Sequence, residues 1–223
     1  MSPKKIIVDG SNMTSIIGYP FGFPQNIWDE VEELTFICPP INFLPDPAVG
    51  GFPEWASLPL KKVNWIFFTK DRNSTWTLGR HHLNPDKREY GSGKFEDEYW
   101  SFGNFLLSFP STVEIRIINS GMIHPYTIGS EHRDENYNQT VFAHKVRQSM
   151  LMEIQTRFSK NQQRRQSGND ERFNEDTGTS LEDQNKEADD RWSTIRWMGM
   201  KEYLRNNDWV GELDPSEAKV WLN

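Results

Sequence analysis

Prolines set the strongest limit on what the first part of this chain can fold into. Eight of the 13 prolines lie between positions 20 and 59, and each one fixes φ and removes a backbone donor. Long helices and inner strands are therefore not expected there, apart from one short strand, LTFIC, between Glu33 and Pro39. We predict that residues 1–60 form an extended arm whose aromatic rings need burial in the chain's own core or on a neighbour. These rings are Phe21, Phe23, Phe43, Phe52 and Trp55.

The middle of the chain has the composition of β-strands. KKVNWIFFTK and TWTLGRHHL, joined by DRNS, predict an antiparallel hairpin over residues 61–83. YWSFGNFLLSF and STVEIRIINSG predict two further strands separated by Pro110, with apolar and polar residues alternating from Val113 to Ile117. The fold class predicted from these segments is α+β, with a β-sandwich-like antiparallel core.

Helical segments are expected after the strands. A long amphipathic helix is predicted over about 140–158 from apolar residues spaced by four, namely Phe142, Val146, Met150, Ile154 and Phe158. Residues 159–191 hold few apolar side chains and predict a polar insertion, either disordered or a solvated loop. Residues 192–223 predict a C-terminal helical segment and a tail. With the arm (1–60) and the central part (61–158), these segments are expected to form a single domain, 1–223.

Charge and hydrophobicity narrow the range of partners. The formal net charge is −7 and the pI is about 5.3, whereas nucleic-acid binders usually carry a basic excess. Direct nucleic-acid binding is therefore not expected. No stretch approaches the ~20 apolar residues that cross a bilayer, and the run IIV is too short for the core of a signal peptide. The single cysteine, Cys38, allows no internal disulfide, so we expect an intracellular protein without a membrane partner.

The five histidines do not have the pattern of a metal site. His81 and His82 are adjacent, so on a strand their side chains point to opposite faces and do not easily hold one ion. His124, His132 and His144 lack the spacing of zinc ligands. We therefore assign no metal ligand, no catalytic residue and no cofactor-binding residue from these patterns.

One motif supports an alternative. KKIIVDGSN, a strand that ends in Asp and continues into Gly-Ser-Asn, resembles the opening of the PIN-like metal-dependent ribonucleases. This resemblance implies that Asp9 is a magnesium ligand, since hard cations take carboxylate oxygens. Such a site needs further acids at the ends of parallel strands, and the predicted elements do not alternate strand with helix as that fold requires. A turn after a short strand accounts for the same residues.

A second resemblance covers residues 112–158. They hold a strand with a His-bearing turn, VEIRIINSGMIHP, then YTIGSEH over 126–132, then a long helix that opens with Val-Phe at 141–142. This order is similar to that of the polyhedrins of insect cypoviruses. The hairpin over 63–83 matches a family hairpin more loosely. The polar segment 159–191 has no counterpart in that family, and the chain is somewhat short for it.

The polyhedrin resemblance implies a β-sandwich with added helices that assembles as homotrimers into a crystalline lattice in the host-cell cytoplasm. Its implied role is to form the matrix of viral occlusion bodies, which enclose virus particles and dissolve at alkaline pH. A nucleotide bound in the lattice is a ligand that this resemblance alone implies. Alkaline dissolution is compatible with the charge, since near pH 10.4 about half of the lysines and tyrosines titrate and copies repel one another more strongly.

We therefore expect a self-assembling structural protein, not an enzyme, whose partners are copies of itself and virus particles. The PIN-like ribonuclease using Asp9 remains one alternative. The other is a soluble acidic protein of the immunity type, which binds and neutralises a basic partner.

Overall fold

The computed structural model describes residues 4–9, 28–38, 57–68, 76–77, 102–124, 135–167, 180–206 and 209–222. Within these residues the strands are β1 (Lys4–Asp9), β2 (Val31–Cys38), β3 (Lys62–Phe67), β4 (Trp76–Thr77), β5 (Glu114–Ile118), β6 (Ile123–His124) and β7 (Ile195–Met198). The helices are α1 (residues 102–107), α2 (Glu135–Ser167), α3 (Leu181–Ser193), α4 (Met200–Arg205) and α5 (Pro215–Leu222).

A five-stranded, all-parallel sheet forms the centre of the described structure, in the order β1-β2-β3-β5-β7. Spatial order therefore follows chain order. Because crossovers between parallel strands are right-handed, a sheet that grows in one direction places its connections on a single face. Helices α1, α2 and α3 occupy that face, and α4 and α5, which follow the last strand, pack on the other. The arrangement is α/β, with a helical layer on each side of the sheet.

The predicted α+β class with a β-sandwich-like antiparallel core is therefore wrong. β3 belongs to the predicted hairpin, but it pairs in parallel with β2 and β5, and β4 pairs in parallel with β6. Strands of parallel sheets are buried on both faces and read as continuous apolar runs. β3 has this character, with five of its six residues buried, and local pattern alone did not distinguish it from half of a hairpin.

A second predicted strand, YWSFGNFLLSF, is also wrong, because residues 102–107 are helical. Phe102, Phe105, Leu106 and Phe109 are all buried, and their spacing of three, one and three places them on one face of a helix. The strand prediction followed the aromatic content and overlooked this spacing.

The rings of α1 and α2 form an aromatic core with the sheet. Phe36 of β2 and Trp65 of β3 lie 4.6 Å apart between ring centroids, and Phe105 contacts both rings at 5.9 and 5.3 Å. Phe142 of α2 packs edge-on against Phe67 at 5.7 Å. Such pairs add about 0.5–1.5 kcal/mol each beyond the burial of their area. The abundant rings of the described chain therefore account for cohesion between its sheet and its helices.

The helices differ from their predicted bounds. The predicted helix at 140–158 is confirmed as part of α2, which begins at Glu135 and ends at Ser167. The segment 159–191, predicted to be disordered or a solvated loop, is helical in its described residues, because its first residues continue α2 to Ser167 and its last residues lie in α3. α3 starts with a capping box in which Ser180 and Asp183 satisfy each other's backbone donors. Residues 168–179 lie outside the described part, and the predicted C-terminal helical segment is interrupted by β7.

A buried arginine joins α3 to the loop between α1 and β5. The guanidinium of Arg191, of which 2% is exposed, donates to the carbonyl oxygens of Leu106, Pro110 and Val113 at 3.2, 2.8 and 2.8 Å. Burial lowers the pKa of Arg191 to about 10, so the side chain is still a cation at neutral pH. Its role is structural, because a fork of donors satisfies several loop carbonyls that have no ladder partner.

Candidate functional site at the carboxyl edge of the sheet

All five strands of the sheet point the same way, so their carboxyl ends meet along one edge. In open α/β sheets, ligands bind in the crevice outside this edge. The residues that end the strands are Asp9, Cys38, Phe67, Ile118 and Met198. Asp9 is the acidic member of this set. The backbone of Asp9, the last described residue of the motif KKIIVDGSN, therefore lies where α/β proteins place their chemistry.

Asp9 ends an edge strand. Its backbone pairs with Ile37 of β2, and β1 has no second neighbour among the strands of this sheet. Within the described residues, no group of three or more His, Cys, Asp or Glu could hold a metal ion. One carboxylate is still compatible with magnesium, because this ion keeps several waters and is commonly held by one or two carboxylates together with substrate phosphates.

A tight turn follows β5 at the same edge. Asn119 has a left-handed backbone, with φ 64° and ψ 26°, a conformation that asparagine tolerates better than most residues. Its side-chain amide donates to the carbonyl oxygen of Phe67, at 2.8 Å, and to the sulfur of Met122, at 3.3 Å. Asn119 therefore links the end of β3 to the turn after β5, and its left-handed backbone turns the chain away from the sheet.

The start of α2 packs closely on this turn. A Cβ on Gly121 would collide with the backbone carbonyl of Glu135, so only glycine allows this approach. Asn138 donates to the carbonyl oxygen of Gly121 at 3.1 Å. The hydroxyl of Ser120 and the amide oxygen of Asn138 are buried and have no hydrogen-bond partner in the described part of the chain. Ser120 and Gly121, which follow β5, thus pack against the start of α2 at the carboxyl edge of the sheet.

A buried polar network lies on the opposite face of the sheet from α1 and α2. Its centre is the carboxylate of Glu212, whose side chain is fully buried. Thr35 and Asn64, neighbours in register on β2 and β3, donate to Oε1 at 3.0 Å each. The phenol of Tyr203 donates to Oε2, and Lys5 of β1 forms an ion pair with Oε1. Residues from three strands and from the C-terminal part of the chain thus meet at one carboxylate.

The pattern of this network suggests a structural role. Each oxygen of Glu212 already accepts from groups of the protein, so the carboxylate has little free capacity for a ligand. A buried charge is tolerated only when it is paired and hydrogen-bonded, and Lys5 and the three neutral donors meet that need. This cluster was not predicted from the sequence. The available signal was a single polar residue inside each of two apolar strands, Thr35 in LTFIC and Asn64 in VNWIFF.

The structure does not gather the histidines among the residues that it describes. His144 is exposed on α2. His124 is the last residue of β6. His81, His82 and His132 lie outside the described residues.

The chain was compared with protein-family models, with curated proteins and with solved structures, and none of them matches it. Of the helices in the described ranges, none is long and apolar enough to cross a membrane.

Proposed function

We propose that this protein is a magnesium-dependent ribonuclease in which Asp9 binds the metal. The observation that carries this proposal is the position of Asp9, the acidic residue that ends a strand at the carboxyl edge of an all-parallel sheet. The sequence raised two objections, and the parallel α/β fold removes one of them. The other stands at the described strand ends, because Cys38, Phe67, Ile118 and Met198 add no further acid, so the proposal relies on one carboxylate. The motif IIVDGSN, with its resemblance to PIN-like ribonucleases, supplies the substrate class.

The metal would supply the chemistry that the carboxylate alone lacks. A bound magnesium ion would polarise a phosphoryl oxygen, orient a coordinated water as the nucleophile and lower the pKa of that water. A protein with a net charge of −7 should hold RNA weakly and release it readily, which suits turnover rather than stable binding. The role of Asp9 in this scheme is to hold the ion beside the scissile phosphate.

The occlusion-body hypothesis loses its main support, because the resemblance on which it rests implies a β-sandwich. It stays a prediction, which refractile inclusions in insect cells expressing the chain would support. The immunity-type hypothesis also stays a prediction. It calls for a salt-sensitive complex with a basic partner, and no feature of the described surface favours it over the others.

The test is cleavage of single-stranded RNA by the purified protein with and without magnesium. Cleavage should stop with a chelator, return with added magnesium, and fall more than about 100-fold in Asp9→Asn, because loss of a direct ligand should exceed the 10–100-fold cost known for supporting residues. The matched control is Glu32→Gln. Glu32 is the second residue of β2 and so lies at the amino ends of the strands, away from Asp9. It forms an exposed 2.7 Å ion pair with Lys61, so losing this pair should change stability and cleavage little.

Equal cleavage by Asp9→Asn and by the unmodified protein would refute the proposal, since a contaminating nuclease would then be the source. Absence of magnesium-dependent cleavage from every preparation would refute it as well.

A further inference from the structure

A groove with a volume of about 320 Å³ lies between α2, α3 and β7. Two tryptophans line it, Trp192 at the end of α3 and Trp197 on β7, with ring centroids 5.5 Å apart and planes inclined by 42°. Both side chains are only half-buried, so part of their surface faces the groove. One face of α2 forms the wall, through Gln139, Thr140, Ala143, His144 and Arg147.

The groups that line the groove match the chemistry of a nucleotide. A base stacks on an aromatic ring whatever its sequence, because every base has a π-face. The amide of Gln139 can donate and accept hydrogen bonds of the kind found at base edges. The hydroxyl of Thr140 donates to the carbonyl oxygen of Asn136 at 2.8 Å, so it can offer a base an acceptor. The guanidinium of Arg147 suits a phosphate, whose oxygens it can contact in a bidentate manner. The volume is within the range of small-molecule sites.

We propose that this groove binds one nucleotide of a single-stranded RNA, with its base stacked on Trp192 and its phosphate at Arg147. The inference rests on the proposed ribonuclease function, for which it names a substrate-binding subsite. Arg147 is held by Asp189 in a 2.8 Å ion pair whose side chains are 47% and 55% exposed. An incoming phosphate competes with the carboxylate of Asp189 for that guanidinium. This competition lowers the affinity that Arg147 adds for RNA, so the subsite contributes only modestly to binding.

The subsite lies far from Asp9. β1 and β7 are the two edge strands of the five-stranded sheet, and four strand spacings of ~4.8 Å separate them by about 19 Å. A base in the groove is therefore several nucleotides away from a phosphate at Asp9. Substrates too short to reach both positions should be cleaved without any contribution from the groove.

The binding experiment uses the full-length Asp9→Asn protein with magnesium, to which a fluorescently labelled single-stranded oligoribonucleotide is titrated while anisotropy is recorded. Adding Trp192→Leu should weaken binding between about 5-fold and about 140-fold, the loss expected for one stacked base. The matched control is Trp209→Leu, a half-buried tryptophan whose indole donates to the carbonyl of Leu204 at 2.8 Å. It should leave binding unchanged, and thermal melts should show that each variant is folded.

A gain of binding provides a second test that misfolding cannot imitate. Asp189→Asn removes the competitor for Arg147 and should tighten RNA binding several-fold, with the gain lost in Arg147→Gln. In proteins that retain Asp9, Trp192→Leu should raise the KM for a long RNA and leave cleavage of a dinucleotide unchanged. Such a dependence on substrate length would not follow from a general loss of stability.

The two proposals fail in different ways. If Trp192→Leu and Asp189→Asn both bind RNA as tightly as their parent, the groove is not a nucleotide subsite, whatever the cleavage assay gives. If binding depends on Trp192 while Asp9→Asn cleaves RNA normally, the groove proposal survives and the assignment of Asp9 is refuted.

Discussion

Replacing Glu212 should test whether the buried network holds the C-terminal part of the chain against the sheet. In Glu212→Gln the side chain keeps its shape but loses its charge, so Lys5 loses the partner of its ion pair. Breaking a buried ion pair from one side costs 3–5 kcal/mol. Because 26% of the Lys5 side chain is exposed and water can solvate part of its charge, we expect a loss near the lower end, about 3 kcal/mol.

This loss is large enough to measure by two methods. For a domain of this size, each kcal/mol shifts the melting temperature by about 2–4 °C, so Glu212→Gln should lower it by about 6–12 °C. In urea, with a slope near 3 kcal/mol/M, the midpoint should fall by about 1 M while the slope stays the same. The matched control, Glu202→Gln on the exposed side of α4, should stay within about 0.5 kcal/mol of the unmodified protein.

A double-mutant cycle would show that the loss comes from the network. Lys5→Met should also destabilise the protein, because it leaves the carboxylate of Glu212 buried without a counter-charge. The losses of stability measured in Lys5→Met and in Glu212→Gln should add up to clearly more than the loss measured in the double mutant. If Glu212→Gln behaves like Glu202→Gln, or if the two losses are additive, the pairing of Lys5 with Glu212 does not hold the C-terminal part of the chain against the sheet.

Two further predictions concern the connections around α2 and α3. Gly121→Ala should destabilise the protein by about 1–3 kcal/mol, because its methyl group overlaps the carbonyl of Glu135, whereas Gly199→Ala, where a Cβ meets open space, should change the urea midpoint little. At the start of α3, hydrogen bonds from Ser180 lower the pKa of Asp183 below its ordinary value of 3.8, so the stability that Asp183 adds is present above that pH and is lost as the pH falls through the lowered pKa. Melting curves at pH 7 and near pH 3 should therefore show a gap between the unmodified protein and Asp183→Asn that narrows in acid, and a gap of constant size would contradict this reasoning.

Local sequence patterns predicted where single strands lie better than how those strands pair. LTFIC and VEIRIINSG were recognised as strands because β-branched and aromatic residues suit a pleated, half-buried surface. Their parallel pairing could not be predicted from those patterns, because direction depends on which distant segments meet. α1 could have been predicted, since Phe102, Phe105 and Phe109 have helical spacing.

The candidate site was predictable only in part. Asp9 was visible because its motif is short and contiguous, and the parallel sheet then placed it at the carboxyl edge. Neither the network around Glu212 nor the groove at Trp192 and Trp197 could be predicted, since each joins residues from separate elements. A lone Thr35 or Asn64 in an apolar strand indicates a buried polar contact without identifying the partner.

The long span of the polar network has a consequence for how the molecule folds. Thr35 and Asn64 find their carboxylate partner 177 and 148 residues further along the chain. Contacts of such separation slow folding, since chain entropy is lost before the contact contributes. Before α4 and α5 dock, the face of the sheet that carries Ile37, Ile66 and Ile118 is not covered by these helices, and its apolar side chains are open to other molecules. We expect slow refolding from denaturant, with aggregation that increases with protein concentration.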